Sequence, residues 1–197
     1  MNKSRLEAFS DGVIAIIITI MVLQLNVPKG KDLQSLRPII PVFVSYILSF
    51  VYLGIYWNNH HHMIHTVKHV SGGILWANLH LLFWLSLVPF VTRWIGDTNF
   101  APIPSALYGI DLLMSAIAYF LLQTMILKRH GKNSLLARAL GTDLKGKISP
   151  PLYLVAILST FIYEWISIGI YILVALIWFI PDKRIERVFE DEGKKNN

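Results

Sequence analysis

A chain of 197 residues that is 54% hydrophobic and only 15% charged is not a soluble domain, in which charged residues make up about 25%. Its long apolar runs, with little polar sequence between them, point instead to a polytopic membrane protein. A formal net charge of +6 would suggest nucleic acid in a soluble protein, but here Lys and Arg fall between and beyond the apolar runs, where they set topology; the absence of cysteine excludes disulfides, thiolate metal sites and cysteine nucleophiles.

The first run covers residues 5–27. Ser4-Arg5-Leu6-Glu7 fits a capping box and predicts a helix starting near Arg5. Lys3 and Arg5 ahead of an apolar run imitate a signal peptide. Asp11 interrupts that run, however, and no small-residue cleavage site follows before Pro28, so the expectation is a retained transmembrane helix. About 22 residues at about 1.5 Å each cover about 33 Å, enough to cross a bilayer.

Residues three or four apart share a helix face. Gly12, Ile16, Thr19 or Ile20, and Leu23 therefore form a stripe, with Asp11 at its edge. The stripe has two readings. It can be ordinary helix-packing surface. Alternatively, symmetric copies can stack these residues as rings around an axis, where apolar rings gate by dewetting and a hydroxyl ring meets a partly dehydrated ion. Asp11 has two readings as well: a negative charge offered to cations near a mouth, or a structural acceptor paired with donors on neighbouring helices.

The second run covers residues 37–61 and leads into NNHHHMIHTVKH, Asn58 to His69. His61, His65 and His69 are each one helical turn apart, a spacing that suits zinc or another transition metal. Against this, no carboxylate or cysteine lies close by and no HExxH is present. A histidine-boxed di-iron site would need several such clusters, and beyond this one there are only His80 and His130. The other reading is a polar helix end with one or two histidines hydrogen-bonded inside the bundle, and a pH-sensing role stays open.

The third run, residues 73–95, carries Asn78 and His80 among apolar neighbours, where polar groups commonly bond between helices, and Pro89, placed to kink it. The fourth covers residues 104–127. The last apolar stretch, residues 148–181, would reach about 50 Å as one helix, against a hydrocarbon core of about 30 Å. Tyr163-Glu164-Trp165 places a carboxylate between interfacial aromatics near its middle, so two helices are expected, 148–163 and 165–181.

The fold class expected is therefore all-α with six transmembrane helices in residues 1–181 and a charged tail over residues 182–197. With the N-terminus inside, the inner segments hold about 14 of the Lys and Arg and the outer ones about 4, which places both termini in the cytoplasm. No internal repeat is evident, which argues against an alternating-access transporter built from two repeats. There is no TVGYG filter, phosphate-binding glycine loop, catalytic triad or pair of catalytic carboxylates. No enzyme activity and no cofactor are expected.

Arg5 to Leu25, RLEAFSDGVIAIIITIMVLQL, resembles the signature R-x-x-x-F-S-D-G-V-x-A-I-x-x-T-x-x-x-L-x-L of the endosomal and lysosomal type of potassium channel, in its single-repeat prokaryotic branch. Every fixed position is met: Arg5, Phe9, Ser10, Asp11, Gly12, Val13, Ala15, Ile16, Thr19, Leu23 and Leu25. Trp57 with His60 and His61, Trp76 with Asn78, and Pro89-Phe90 add to the likeness. The resemblance implies a homotetramer in a prokaryotic cell membrane whose first helices line a central pore for potassium ions, with sodium and protons as further candidate permeants. It implies an isoleucine constriction at Ile16, a threonine level at Thr19 and apolar rungs at Ile20 and Leu23. It also implies that Phe9, Ser10 and Asp11 tie the first helix to the second and third, with Trp57, His60 or His61, and Asn78 as candidate donors to Asp11. The competing readings are a membrane metalloenzyme built on the His60–His69 cluster and a proton-coupled transporter.

Overall fold

The computed structural model describes residues 2–131, 134–140 and 143–179. They are helical almost throughout: α1 (Lys3–Leu23), a 3-10 helix (Leu33–Ile39), α2 (Ile40–His65), α3 (Gly72–Asp97), α4 (Pro102–His130), the short α5 (Leu135–Leu140), α6 (Leu144–Ser159) and α7 (Glu164–Phe179). Four of these, α1 to α4 with the 3-10 turn counted into α2, are long and apolar enough to cross a membrane, and α7 is a shorter apolar helix. The expected tail, residues 182–197, lies outside the described residues.

The first helix starts earlier than the capping box predicts. Asn2 is the N-cap, its side chain accepting from the Ser4 amide at 3.4 Å, so Ser4 sits inside the first turn. Asn caps as well as Ser. Glu7 is then free to turn to α2, where its carboxylate meets His61 Nδ1 at 2.9 Å. At the other end the helix closes at Leu23, short of the expected residue 27. There the Arg93 guanidinium of α3 donates to the Gln24 carbonyl.

The long final stretch forms two helices, Leu144–Ser159 and Glu164–Phe179, against the expected 148–163 and 165–181. α6 ends at Ser159, the Tyr163 amide closes onto the Ser159 carbonyl at 2.9 Å, and α7 opens at Glu164. The two helices fold back antiparallel: Trp178 Nε1 donates to Ser149 Oγ at 2.8 Å, and the rings of Tyr153 and Tyr171 lie 6.5 Å apart. The third helix runs on through Pro89 to Asp97.

Two cores result. One joins α1 to α2, α3 and the C-terminal half of α4 through side chains such as Leu6, Ile14, Leu53, Ile64, Leu81 and Leu122. The other joins α2 to α4, α6 and α7 and is rich in tyrosine: Tyr52, Tyr108, Tyr153 and Tyr171 are all buried in it. Two glycines allow close approaches between helices. A Cβ at Gly96 would stand 2.6 Å from the Val42 Cα of α2, and one at Gly109 would stand 2.0 Å from the Tyr171 hydroxyl. Small residues at such crossings let membrane helices pack backbone to backbone.

Candidate functional site: the two faces of the first helix

Helix α1 divides cleanly along its length. Leu6, Ser10, Ile14, Ile17 and Met21, spaced by three and four, are buried. They face α2 and α3, the helices α1 packs against. On the opposite side Gly12, Ile16, Thr19, Ile20 and Leu23 are exposed, Ile16 at 61% and Leu23 at 77%. The stripe singled out in the sequence is thus on the face of α1 that the rest of the described chain leaves uncovered.

The polar residues of the motif hold the covered face. Ser10 Oγ donates to the Leu6 carbonyl at 2.9 Å and accepts from Asn78 Nδ2 of α3 at 2.9 Å. Asn78 Oδ1 in turn accepts from His60 Nε2 of α2 at 2.7 Å. Ser10, His60 and Asn78 are all buried, so this chain links three helices out of water. With Nε2 donating, His60 Nδ1 is an acceptor, and it has no partner.

Asp11 lies one position round the helix from Ser10 and is only part-buried. Trp57 Nε1 donates to its Oδ1 at 3.0 Å. The donors expected together around Asp11 therefore separate: Trp57 serves Asp11, Asn78 serves Ser10, and His60 serves Asn78. The reason is angular. Consecutive helix positions differ by about 100°, so Ser10 points into the α2–α3 groove and Asp11 toward its edge. Below them Glu7 meets His61, and Lys3 Nζ donates to the His65 carbonyl at 2.7 Å. Arg5 and Phe9 are exposed.

The histidine cluster does not converge. His60 turns inward to Asn78 and His61 turns to Glu7. The amides of Lys68 and His69 donate to His130 Nε2 at 3.1 and 3.3 Å, pinning the α2–α3 turn to the end of α4. His80 accepts from Trp84 Nε1 at 3.0 Å. Among the described residues no three His, Asp or Glu side chains are placed to hold a metal ion.

One residue escaped the sequence reading. Asp111 of α4 is 3% exposed, and neither carboxylate oxygen has a hydrogen-bond partner among the described residues. Ser115 Oγ, one turn on, is buried and equally unpartnered. The available signal was a single acid inside an apolar run, Ile110-Asp111-Leu112.

Chemically, the uncovered face of α1 offers bulky alkyl groups and one hydroxyl level. Thr19 Oγ1 donates to the Ala15 carbonyl at 2.8 Å, which leaves its lone pairs directed away from the helix. Such a surface carries no acid, base or nucleophile. It can wall a narrow apolar passage and meet a cation at one level.

Comparison with known proteins points one way. A family model described as endosomal/lysosomal potassium channel TMEM175 matches residues 5–89. A potassium channel of Chryseobacterium sp. (strain P1-3) is 59% identical over 191 residues, covering 97% of this chain and 100% of its own length. The human endosomal/lysosomal proton channel TMEM175 is 36% identical over 80 residues, 34% of this chain and 16% of that protein. The crystal structure of a lysosomal potassium-selective channel TMEM175 homolog from Chamaesiphon minutus superposes with a TM-score of 0.79 at 29% identity, covering 91% of this chain and 97% of the other.

Proposed function

We infer function from one premise: the chain belongs to the TMEM175 family of endosomal/lysosomal potassium channels. It is a potassium-permeable channel of the membrane and not an enzyme. Four copies assemble so that the uncovered faces of the α1 helices enclose the ion path. The observation that carries this reading is the division of α1, whose back is bonded to α2 and α3 while Ile16, Thr19, Ile20 and Leu23 stand exposed on its front.

In that assembly the Ile16 side chains form the narrowest ring, an apolar constriction that excludes water when closed. The Thr19 oxygens lie one turn on and offer acceptors to a dehydrating cation. Ile20 and Leu23 continue the apolar wall. A single hydroxyl level gives modest preference for potassium over sodium, and protons are a further candidate permeant. No cofactor takes part. The surplus of Lys and Arg on one side of the spans, in a six-span layout, puts both termini in the cytoplasm of a prokaryotic cell.

Ile16→Asn replaces the oily ring with amides and should raise potassium flux, or change the potassium-to-sodium ratio, in liposomes holding the purified protein. Unchanged flux and ratio in a correctly assembled variant would remove Ile16 from the constriction. A preparation that is monomeric by cross-linking in the same liposomes would remove the tetramer.

A further inference from the structure

A carboxylate buried without a cation or a donor is among the least stable arrangements a protein can hold, and such groups are neutralised instead. Asp111 is in that position. It lies on α4 about nine residues, or about 14 Å, from Pro102, near mid-membrane depth for a helix of this length. Its two oxygens and Ser115 Oγ are three enclosed acceptors with nothing bonded to them.

The groups that surround it supply no positive charge. Tyr56 of α2 and Tyr108 of α4 itself are near enough to feel its charge. Tyr153 of α6 and Tyr171 of α7 pack around those two. The titratable side chains of α3 are engaged elsewhere, His80 with Trp84, and Arg93 with Asp97 and Gln24. Lys145, Lys147 and Glu164 stand in the first turns of α6 and α7. Among the described residues no ion pair reaches Asp111.

Polar residues continue from it along α4. Asp111, Ser115, Tyr119 and Gln123 follow one another at intervals of four, so they share a face of α4. Tyr119 donates to the Asn59 carbonyl at 3.3 Å, and Gln123 Nε2 donates to Asp143 Oδ2 at 3.2 Å. Tyr119, Gln123 and Asp143 line a cavity of about 40 Å³ between α2, α4, α6 and α7, whose wall reaches Ala116 and stops short of Ser115 and Asp111. That volume admits water.

We propose that Asp111 is a proton-binding site in each subunit, off the α1 path and reached from the Tyr119–Gln123–Asp143 cleft. The step is a bare proton transfer. Hydronium from the cleft gives its proton to a carboxylate oxygen of Asp111 and leaves as water, and the neutral acid then has Ser115 Oγ as an unpartnered acceptor one turn along. A proton suits the site better than an alkali ion, because three oxygens are too few to replace a hydration shell. The α1 conduit takes no part, so a failed Ile16 test leaves this site untouched.

Infrared spectra of the full-length protein in lipid bilayers, wild type minus Asp111→Asn, test the proposal through the carbonyl stretch of a protonated carboxyl group. At neutral pH the wild type should show that band, shifted in heavy water and lost on raising the pH, and Asp111→Asn should lack it. Ser115→Ala should move the band without removing it, and this carries the test should Asp111→Asn not assemble. A wild type with no such band at neutral pH, a band that persists in Asp111→Asn, or one unmoved by Ser115→Ala would overturn the proposal. So would a sodium-dependent rise in melting temperature that Asp111→Asn abolishes, which would assign the site to an alkali ion.

Discussion

The two cores of this subunit hold their helices by different means. Around α1 the deep polar groups are linked: Ser10, Asn78 and His60 form one chain across three helices, and Asp11 has Trp57 beside it. Around α4, α6 and α7 the contacts are mainly aromatic, with hydroxyls reaching carbonyls, as Tyr171 reaches Ser105 at 3.0 Å and Tyr52 reaches Tyr171 at 2.6 Å; a side-chain relay, Tyr108 to Ser49 to Thr92 at 3.0 and 2.7 Å, joins α4 to α2 and α3, and its bonds do not reach α6 or α7. That second core also tolerates the unpartnered Asp111. Where a helix must present a set face, directional bonds fix its rotation. Where helices mainly fill space, rings and glycines do most of the packing.

Substitutions can break or sharpen this contrast. The largest effect is expected for Asn78→Ala, which leaves the buried His60 Nε2 without an acceptor and takes from Ser10 Oγ its donor, its bond to the Leu6 carbonyl remaining. Each buried orphan costs about 1–3 kcal/mol, moderated in membranes where alternative partners exist, so a loss of about 2–3 kcal/mol is expected in reversible unfolding from mixed micelles. A loss below that of an exposed substitution would mean that the chain does not hold α1. Next comes Gly109→Ala, whose methyl would collide with the Tyr171 hydroxyl and with Ile157. Overpacking there should cost about 1–3 kcal/mol by the same assay, and Tyr171→Phe about 1 kcal/mol. Should the lost hydroxyl prove the costlier change, the second core would be held by polar links after all.

Asp11→Ala removes one part-buried bond, worth about 1 kcal/mol. We expect size-exclusion chromatography to show weakened assembly, with ion preference kept in whatever assembles. A fully assembled channel with altered preference would move Asp11 from the clamp to the conduit. The smallest effect belongs to Glu7→Gln, since its partner His61 is 43% exposed. Less than about 1 kcal/mol is expected, fading as salt is raised.

Much of this was legible in the sequence because α1 is read by period. A stripe at intervals of three and four marks one face, and its complement, Leu6, Ser10, Ile14, Ile17 and Met21, marks the other. That the last stretch breaks was legible from its length, and the position near Glu164 from the carboxylate between Tyr163 and Trp165. The division of donors between Ser10 and Asp11 was not, because it depends on where Trp57, His60 and Asn78 lie around two other helices. The start of α1 was misjudged because two capping patterns overlap at Asn2 and Ser4, and the structure uses the first. Asp111 went unseen for a different reason. A lone acid among leucines carries no spacing, and its character comes from the absence of partners on helices far away in the chain.

Both ends of α1 are fastened to its neighbours. Lys3 reaches the last turn of α2, and Arg93 of α3 grips the carbonyl that closes the other end. A helix moored at both tips and tied at its middle cannot swivel by itself like a key in a lock. If the proposed passage widens, α1, α2 and α3 must travel together as one stave of the cask, and in the proposed tetramer the hinge belongs between the copies.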